Sequence, residues 1–415
     1  MQNDLLTAAL RGIGPCGCVQ RHVGGFAAEL VSAGYAAVVV RDYAFSAAHF
    51  GRWLDSRGIG LGSVTDRTVG GFASHRCECT GVRRRLQRPS RRYAARVRVF
   101  VEHLRRLNVV PPVTKPAPML PPPIVGFRAW MTRHRGVTSK TIDRYERIIA
   151  RMLPSLGDDP ARYDAGLVRR VFLAQTSQLS HVYAKDFVSA LRAFLRFHAA
   201  EGRCRPHLYR AVPFVPVWKL SGLPRYLEIA DVDRLIDCCD LTKPHGVRDR
   251  AVLLLLARLG LRAGDIVAMR LDDLDWDAGT LRVCGKGRKE VRLPLPKDVG
   301  EALAEYLVAA RPATKIEQVF LCVNAPIRPF ATSATVSDIV RFALRRAGIT
   351  DAPSKGAHML RHSAATAMLR SGASLDAIAA VLRHQSSETT AYYAKVDTGL
   401  LQEVALPWPV ETGQC

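Results

Sequence analysis

Apolar side chains recur along this chain with two different periods, and the change of period marks how it is organised. Near the N-terminus, Phe26, Leu30, Tyr35, Tyr43, Phe50, Trp53 and Leu54 supply a helical core, and Phe100, Leu104 and Leu107 supply a later helix. The run from Pro111-Pro112 to Pro121-Pro122-Pro123 reads as a connector that ends this first block. A second helical block follows over about 124–215 and opens on Phe127 and Trp130. Within it Ser139 is placed to cap a helix that carries Ile142, Tyr145, Ile149 and Met152, with Lys140, Arg144, Arg147 and Arg151 on its other faces. A further amphipathic helix runs near Phe187 to Phe197. The first block has a similar rhythm, a weak sign of a repeat. Pro213 to Pro224 makes the next connector.

From Leu227 a third unit begins. Ile229, Val232 and Leu235 predict its first helix, and Val247 to Leu261 a long buried one. The period then drops to two: Thr280 to Cys284 and Glu290 to Leu293 alternate on either side of Gly285-Lys286-Gly287-Arg288-Lys289. That pattern predicts a β-hairpin with a basic turn. Its Gly-x-Gly is not a nucleotide loop, because no helix starts after it. Helical spacing returns at Ala357, is closed by Gly372, and resumes after Ser374 with Leu375, Ile378 and Leu382. Two short helices joined this way also suit a helix-turn-helix that reads a major groove.

A chain of 415 residues has room for two or three domains. Its formal net charge of +23 suits a polyanion partner, since each neutralised phosphate releases counterions; a solvated Arg-rich surface is the alternative. The charge concentrates at Arg83, Arg84, Arg85, Arg88, Arg91, Arg92, Arg96 and Arg98, between the early and late helices of the first block. These are candidate phosphate contacts, as are Lys140 and Arg144; a solvated loop is the competing reading of the arginine run. The ten cysteines lack the pattern of a secreted scaffold, and no signal peptide opens the chain. The longest apolar run, Ala251 to Leu261, is interrupted by Arg258 and is too short to span a bilayer, so a cytoplasmic location and no membrane partner are expected. Cys16-Gly-Cys18 and His75-Arg-Cys77-Glu-Cys79 raise the question of zinc. Their Cys-x-Cys spacing is tighter than the usual two-residue gap and the groups are far apart, so buried or incidental thiols are expected and no metal site.

The chemistry gathers late in the chain. His358 and Arg361 are three apart and share a helix face, so both can reach one anion. His384 follows the next helix, and Tyr393 lies nine residues beyond it. An arginine, two histidines and a tyrosine are the parts needed to split a phosphodiester through a covalent phosphotyrosine. Upstream, Gly260-Leu261-Arg262-Ala263-Gly264-Asp265 has Ile266, Met269 and Leu271 behind it; there a buried Arg262 paired to Asp265 as scaffold is the alternative to a catalytic role.

This combination resembles the tyrosine recombinase (phage integrase) family. His358 and Arg361 match its His-x-x-Arg box, and Leu382-Arg383-His384 matches its Leu-Gly-His box with Arg where Gly is usual. Thr389 to Tyr393 matches its nucleophile box, Gly260-Leu261-Arg262 its first arginine box, and the hairpin with Lys286 its second catalytic element. Asp265 stands where the family usually has Glu, a residue that braces the site. The resemblance is strong over 224–400 and moderate over 124–215; a helix-turn-helix alone would not explain the Arg262 and Lys286 blocks.

The resemblance implies a mainly α fold with a small antiparallel β-sheet (α+β). It implies a core-binding SAM-like helical domain at 118–217 and a catalytic domain at 222–408; it extends only loosely to 1–112, where the helical pattern and the arginine run lead to the expectation of an N-terminal helical, DNA-binding region. Tyr393 would attack the scissile phosphorus, giving a 3′-phosphotyrosyl bond and a free 5′-hydroxyl. Arg262 and Arg361 would clamp the non-bridging oxygens with help from His384; Lys286 would protonate the departing oxygen and His358 help accept the tyrosine proton. The covalent link stores the bond energy, so neither ATP nor a metal is required and no cofactor is expected. The partners implied are double-stranded DNA and a homo-tetramer on paired sites, with helper recombinases as further candidates. The tail from Ala394 would dock on a neighbour or on its own domain through Leu400, Leu401, Val404 and Leu406. The long first block points to an integrase or transposase of a mobile element. A Xer-like resolvase, a type IB topoisomerase and a catalytically silent DNA-binding protein are the alternatives.

Overall fold

Apolar residues at three-to-four spacing form helices whose buried stripes meet, and most of this chain folds that way. The computed structural model describes residues 2–75, 77, 79, 91–112, 121–216, 223–284, 290–384 and 387–395. The chain divides into two compact units, Met1–Val113 together with Leu223–Cys415, and Thr114–Gly222.

In the first unit, the N-terminal helices are α1 (Gln2–Leu10), α2 (Gln20–Ser32), α3 (Ala37–Ser56), α4 (Asp66–Ser74) and α5 (Arg91–Arg106). Phe26, Phe50, Phe72 and Phe100 are fully buried among them, and the rings of Phe26 and Phe100 lie 5.0 Å apart. Two expectations need correcting. Arg91 to Arg98 belongs to α5 and is not a stretch between helices; Arg92 is exposed, while Arg96 is half-buried and pairs with Asp42 at 2.6 Å. Leu107 lies past the end of α5 and is exposed, so the late helix buries Val97, Phe100, Val101 and Leu104 instead. Arg83, Arg84, Arg85 and Arg88 lie outside the described residues.

The second unit holds α6 (Pro122–His134), α7 (Ser139–Leu156), α8 (Ala165–Thr176) and α9 (His181–Ala200). Its core joins Phe127, Ile142, Ile149, Met152, Phe172, Phe187 and Phe194. Thr138, in extended backbone, is the N-cap of α7 and Ser139 its first helical residue, one position from the expected cap. Ser180 caps α9 with its side chain. Lys140 is exposed, and Arg144 is paired with Asp186 at 3.0 Å.

The rest of the first unit runs through α10 (Ile229–Asp237), α11 (Pro244–Arg258), α12 (Ala263–Ala268), β1 (Leu274–Asp275), β2 (Thr280–Cys284), β3 (Glu290–Pro294), α13 (Lys297–Glu305), α14 (Ser333–Arg346), α15 (Ala357–Arg370), α16 (Leu375–Leu382) and α17 (Ser387–Ala394). The strands form an antiparallel sheet in the order β1-β2-β3, with Leu281 opposite Leu293 and Val283 opposite Val291. The expected hairpin is present; its turn, with Lys286, lies outside the described residues. α11 is buried along nearly its whole length, as its unbroken apolar run requires. The fold class is thus mainly α with a small antiparallel sheet. Among the described residues no helix is long and apolar enough to cross a membrane.

Candidate active site

Three chain reversals carry the site. The first follows α11, where Gly260 has φ +57° and a Cβ would lie 2.4 Å from Leu382 Cδ2. Only glycine meets both demands, and it lets this turn approach the end of α16. Arg262 comes next, and its backbone N–H donates to Asp265 Oδ2 at 2.9 Å, which opens α12. The second reversal, at Gly372 (φ +83°), ends α15 and lets Ser374 cap α16 through the Ala377 N–H at 3.2 Å.

The third reversal ends α16. His384 N–H donates to the Ala379 carbonyl at 2.9 Å and Arg383 N–H to the Ala380 carbonyl at 3.1 Å, the paired bonds of a Schellman cap. Arg383 therefore takes the left-handed position, φ +55°, where glycine is usual. Its guanidinium pairs with Asp265, and both side chains are nearly buried, at 6% and 10% exposure. The scaffold pair with Asp265 that is the alternative role for Arg262 is thus made by Arg383, while Arg262 Nη2 donates to the Arg383 carbonyl at 3.1 Å.

Arg361 is only 2% exposed. From α15 it donates to the carbonyls of Gly260 and Leu382, fastening the first reversal to the third. Among the described residues, neither Arg361 nor Arg262 has a carboxylate within ion-pair distance, and Asp265 is taken up by Arg383. Three guanidiniums thus face one carboxylate. Burial, and then the charge of Arg262, lowers Arg361 to about 10; burial and then Arg383 lower Arg262. Positive charge held in so little water is strongly favourable to an arriving anion.

Tyr393 on α17 is buried beside these groups. Its hydroxyl is 2.9 Å from His362 Nδ1, and its ring stacks on His384 with centroids 6.1 Å apart. His384 Nδ1 is held by Thr390 Oγ1 at 2.8 Å. His358 is exposed and lies behind His362, with ring centroids 4.5 Å apart. Tyr392 points elsewhere and donates its hydroxyl to the Leu223 carbonyl at 2.7 Å. Burial raises Tyr393 to about 12, with Arg361 opposing. Burial, then neighbouring positive charge, lowers His362 and His384 to about 4. At neutral pH the site therefore holds a protonated phenol against a neutral imidazole, the starting state for proton transfer to His362.

Of the six catalytic residues expected from sequence, Arg262, His358, Arg361, His384 and Tyr393 come together here, although the chain between the first and last exceeds a hundred residues. Lys286 lies outside the described residues. Thr390 belongs to the nucleophile box matched in the sequence, which gives it no role of its own, and His362 is not among the residues expected there. For His362 the signal was its place four residues after His358, one helical turn along the same face.

Residues 225–399 match the model of the phage integrase family. The protein y4rA of Sinorhizobium fredii, which carries the name integrase/recombinase, is 39% identical over 405 residues, covering 96% of this chain and 96% of its own. Tyrosine recombinase XerD of Mycobacterium tuberculosis is 33% identical over 300 residues, covering 67% of this chain and 94% of its own. The structure of a lambda integrase tetramer bound to a Holliday junction is 17% identical and aligns with a TM-score of 0.53, covering 75% of this chain and 90% of that one.

Proposed function

The chain belongs to the phage integrase family of tyrosine recombinases, and from that premise we propose that it cuts and rejoins double-stranded DNA through a 3′-phosphotyrosyl link on Tyr393. As a member of the family it is a tyrosine-type site-specific recombinase. The observation that carries the proposed mechanism is the pair of carboxylate-free arginines, Arg262 and Arg361, gathered beside a single buried tyrosine.

In this reading the scissile phosphate enters against Arg262 and Arg361, whose donors meet the charge that grows on the non-bridging oxygens. His384, steadied by Thr390, adds a donor to the same oxygens. The Tyr393 oxygen attacks phosphorus as its proton passes to His362, with His358 behind. Lys286 protonates the departing 5′-oxygen. The phosphotyrosyl bond keeps the energy of the broken one, and a 5′-hydroxyl from a partner duplex reverses the step. Four strand cuts on two duplexes imply four protomers, and the lambda integrase tetramer on a Holliday junction supports that assembly.

The two helical regions at 1–112 and 118–217 would grip DNA ahead of a catalytic domain at 222–408. Arg83 to Arg92, Lys140 and the Arg144 region would supply phosphate contacts. The XerD match spans nearly all of that protein but only two thirds of this chain, whereas the y4rA match extends along almost the whole of both. The added length favours a mobile-element integrase or transposase over a chromosome resolvase, acting in the cytoplasm. Incubating the protein with a nicked duplex from the element's ends tests the reading. A protein–DNA adduct that survives denaturation and is lost in Tyr393→Phe is expected; absence of any adduct on cleavable ends would overturn it.

A further inference from the structure

Away from the recombination site, the N-terminal helices bring four metal-binding side chains to one point. His49, His75, Cys77 and Cys79 each offer a ligand atom, and these atoms all lie within 4.8 Å of one another. His49 comes from the middle of α3, and the other three from the stretch that follows α4. We propose that this is a structural zinc site of the Cys2His2 type.

The local backbone explains why the tight spacing works. His75 has φ −71° and ψ 147°, an extended conformation. From there the thiols of Cys77 and Cys79 both come back to the histidines, Cys77 to His49 of α3 and Cys79 to His75. The cysteine pair that looked similar in sequence does not join them. Cys16 Sγ donates to the Gly14 carbonyl, and the Cys18 backbone N–H bonds to Asp55.

The distances suit a tetrahedron. Zinc bonds of about 2.0–2.1 Å to nitrogen and about 2.3 Å to sulfur put neighbouring N and S ligands about 3.5 Å apart. Cys77 Sγ lies 3.2 Å from His49 Nε2, and Cys79 Sγ lies 4.0 Å from His75 Nε2.

The groups behind the ligands are the second observation. His75 Nδ1 is 2.5 Å from the Phe72 carbonyl, which can only accept, so Nδ1 carries the proton and Nε2 presents its lone pair to the cysteines. His49 Nδ1 is held by the Tyr93 hydroxyl in the first turn of α5, again leaving Nε2 to face the cluster. Metal-binding histidines are ordinarily fixed in this way through the other ring nitrogen. His49 is itself 1% exposed, a burial that an imidazole with a polar task tolerates better than an idle one. Two thiolates and two imidazoles in a closed tetrahedron select zinc over harder or planar metals, with no position left open for catalysis. Bound zinc would tie α3 to the stretch that follows α4, with Tyr93 of α5 braced behind His49.

The full-length protein, purified with its thiols reduced, provides the test. Elemental analysis should find one zinc per chain, falling to near zero in Cys77→Ser/Cys79→Ser and unchanged in Cys16→Ser/Cys18→Ser. Cobalt(II) added to protein stripped of metal should give the intense visible bands of a tetrahedral thiolate site and be displaced by zinc. His49→Cys keeps four ligands, so it should retain the metal with its cobalt bands shifted towards those of a three-sulfur site; this guards against loss through misfolding. Zinc-free wild-type protein that also gives no tetrahedral cobalt spectrum would overturn the proposal. So would full zinc content in Cys77→Ser/Cys79→Ser.

Discussion

Replacing Arg383 with glycine sets two effects of opposite sign against each other, and the structure says which is larger. Arg383 occupies the left-handed position of a Schellman cap, which costs a residue with a Cβ about 1–2 kcal/mol relative to glycine. Glycine there would recover that amount. The substitution also removes the partner of Asp265, whose side chain is 10% exposed. Breaking a buried pair and leaving one charge behind costs about 3–5 kcal/mol. The net expectation for Arg383→Gly is a loss of about 2–3 kcal/mol. For a unit of about 300 residues that lowers the thermal midpoint by roughly 3–5 °C. The backbone carbonyl that receives Arg262 survives, so the damage should trace to Asp265 alone. Asp265→Asn removes the stranded charge while keeping an oxygen for the Arg262 N–H, so adding it to Arg383→Gly should restore most of the loss. Differential scanning calorimetry on wild type, both single variants and the double variant gives the coupling directly. An Arg383→Gly protein as stable as wild type would refute the reasoning, because the cap strain would then outweigh the pair.

Three further outcomes are expected. If Lys286 is the acid that protonates the leaving oxygen, Lys286→Ala should slow cleavage by roughly 10²–10⁴-fold. A bridging 5′-sulfur should rescue it but not Arg361→Ala, since a thiolate leaves without a proton; equal rescue of both, or of neither, would return the lysine to a positioning role. Replacing Arg83, Arg84, Arg85 and Arg88 together should weaken binding to every duplex alike and flatten the dependence of log affinity on log salt; an unchanged slope would remove them from the interface. His362 and His384 are held at about 4, below their unfolded value, so between about pH 6.5 and pH 4 the unfolded chain binds protons that the site refuses. Stability should therefore fall as pH drops through that window, and NMR of the DNA-free protein should find both rings neutral at about pH 5.5; a His362 midpoint near 6.5 would contradict the burial argument.

Spacing made much of the site legible because its parts sit at fixed offsets on short elements. Arg361 and His358 share one helix, while His384 directly follows the cap of α16 and Tyr393 lies on α17. What spacing does not carry is which face a neighbouring helix will cover. His362 was hidden for that reason: its role follows from where α17 lays Tyr393, a tertiary fact. Arg383 read as a departure from a glycine, and only its pairing with Asp265 explains why a strained arginine is tolerated. In the first block, His75, Cys77 and Cys79 were visible as a cluster, but the fourth member, His49, lies inside a separate helix twenty-six residues upstream, beyond any local pattern. The limits of α5 were misjudged because Arg91 to Arg98 looks solvated by composition, whereas Val97, Phe100 and Leu104 draw it into the core.

The central claim is that Tyr393, and not its neighbour, forms the covalent link to DNA. The two rings lie 68° apart, with one hydroxyl on His362 and the other on the Leu223 carbonyl, so they cannot exchange roles without rebuilding α17. The decisive measurement is peptide mapping of the adduct trapped on a nicked duplex, alongside Tyr393→Phe and Tyr392→Phe. The DNA remnant should sit on Tyr393, with adduct absent in Tyr393→Phe and retained in Tyr392→Phe while both bind duplex. A remnant on Tyr392, or an adduct that persists in Tyr393→Phe, would contradict the account.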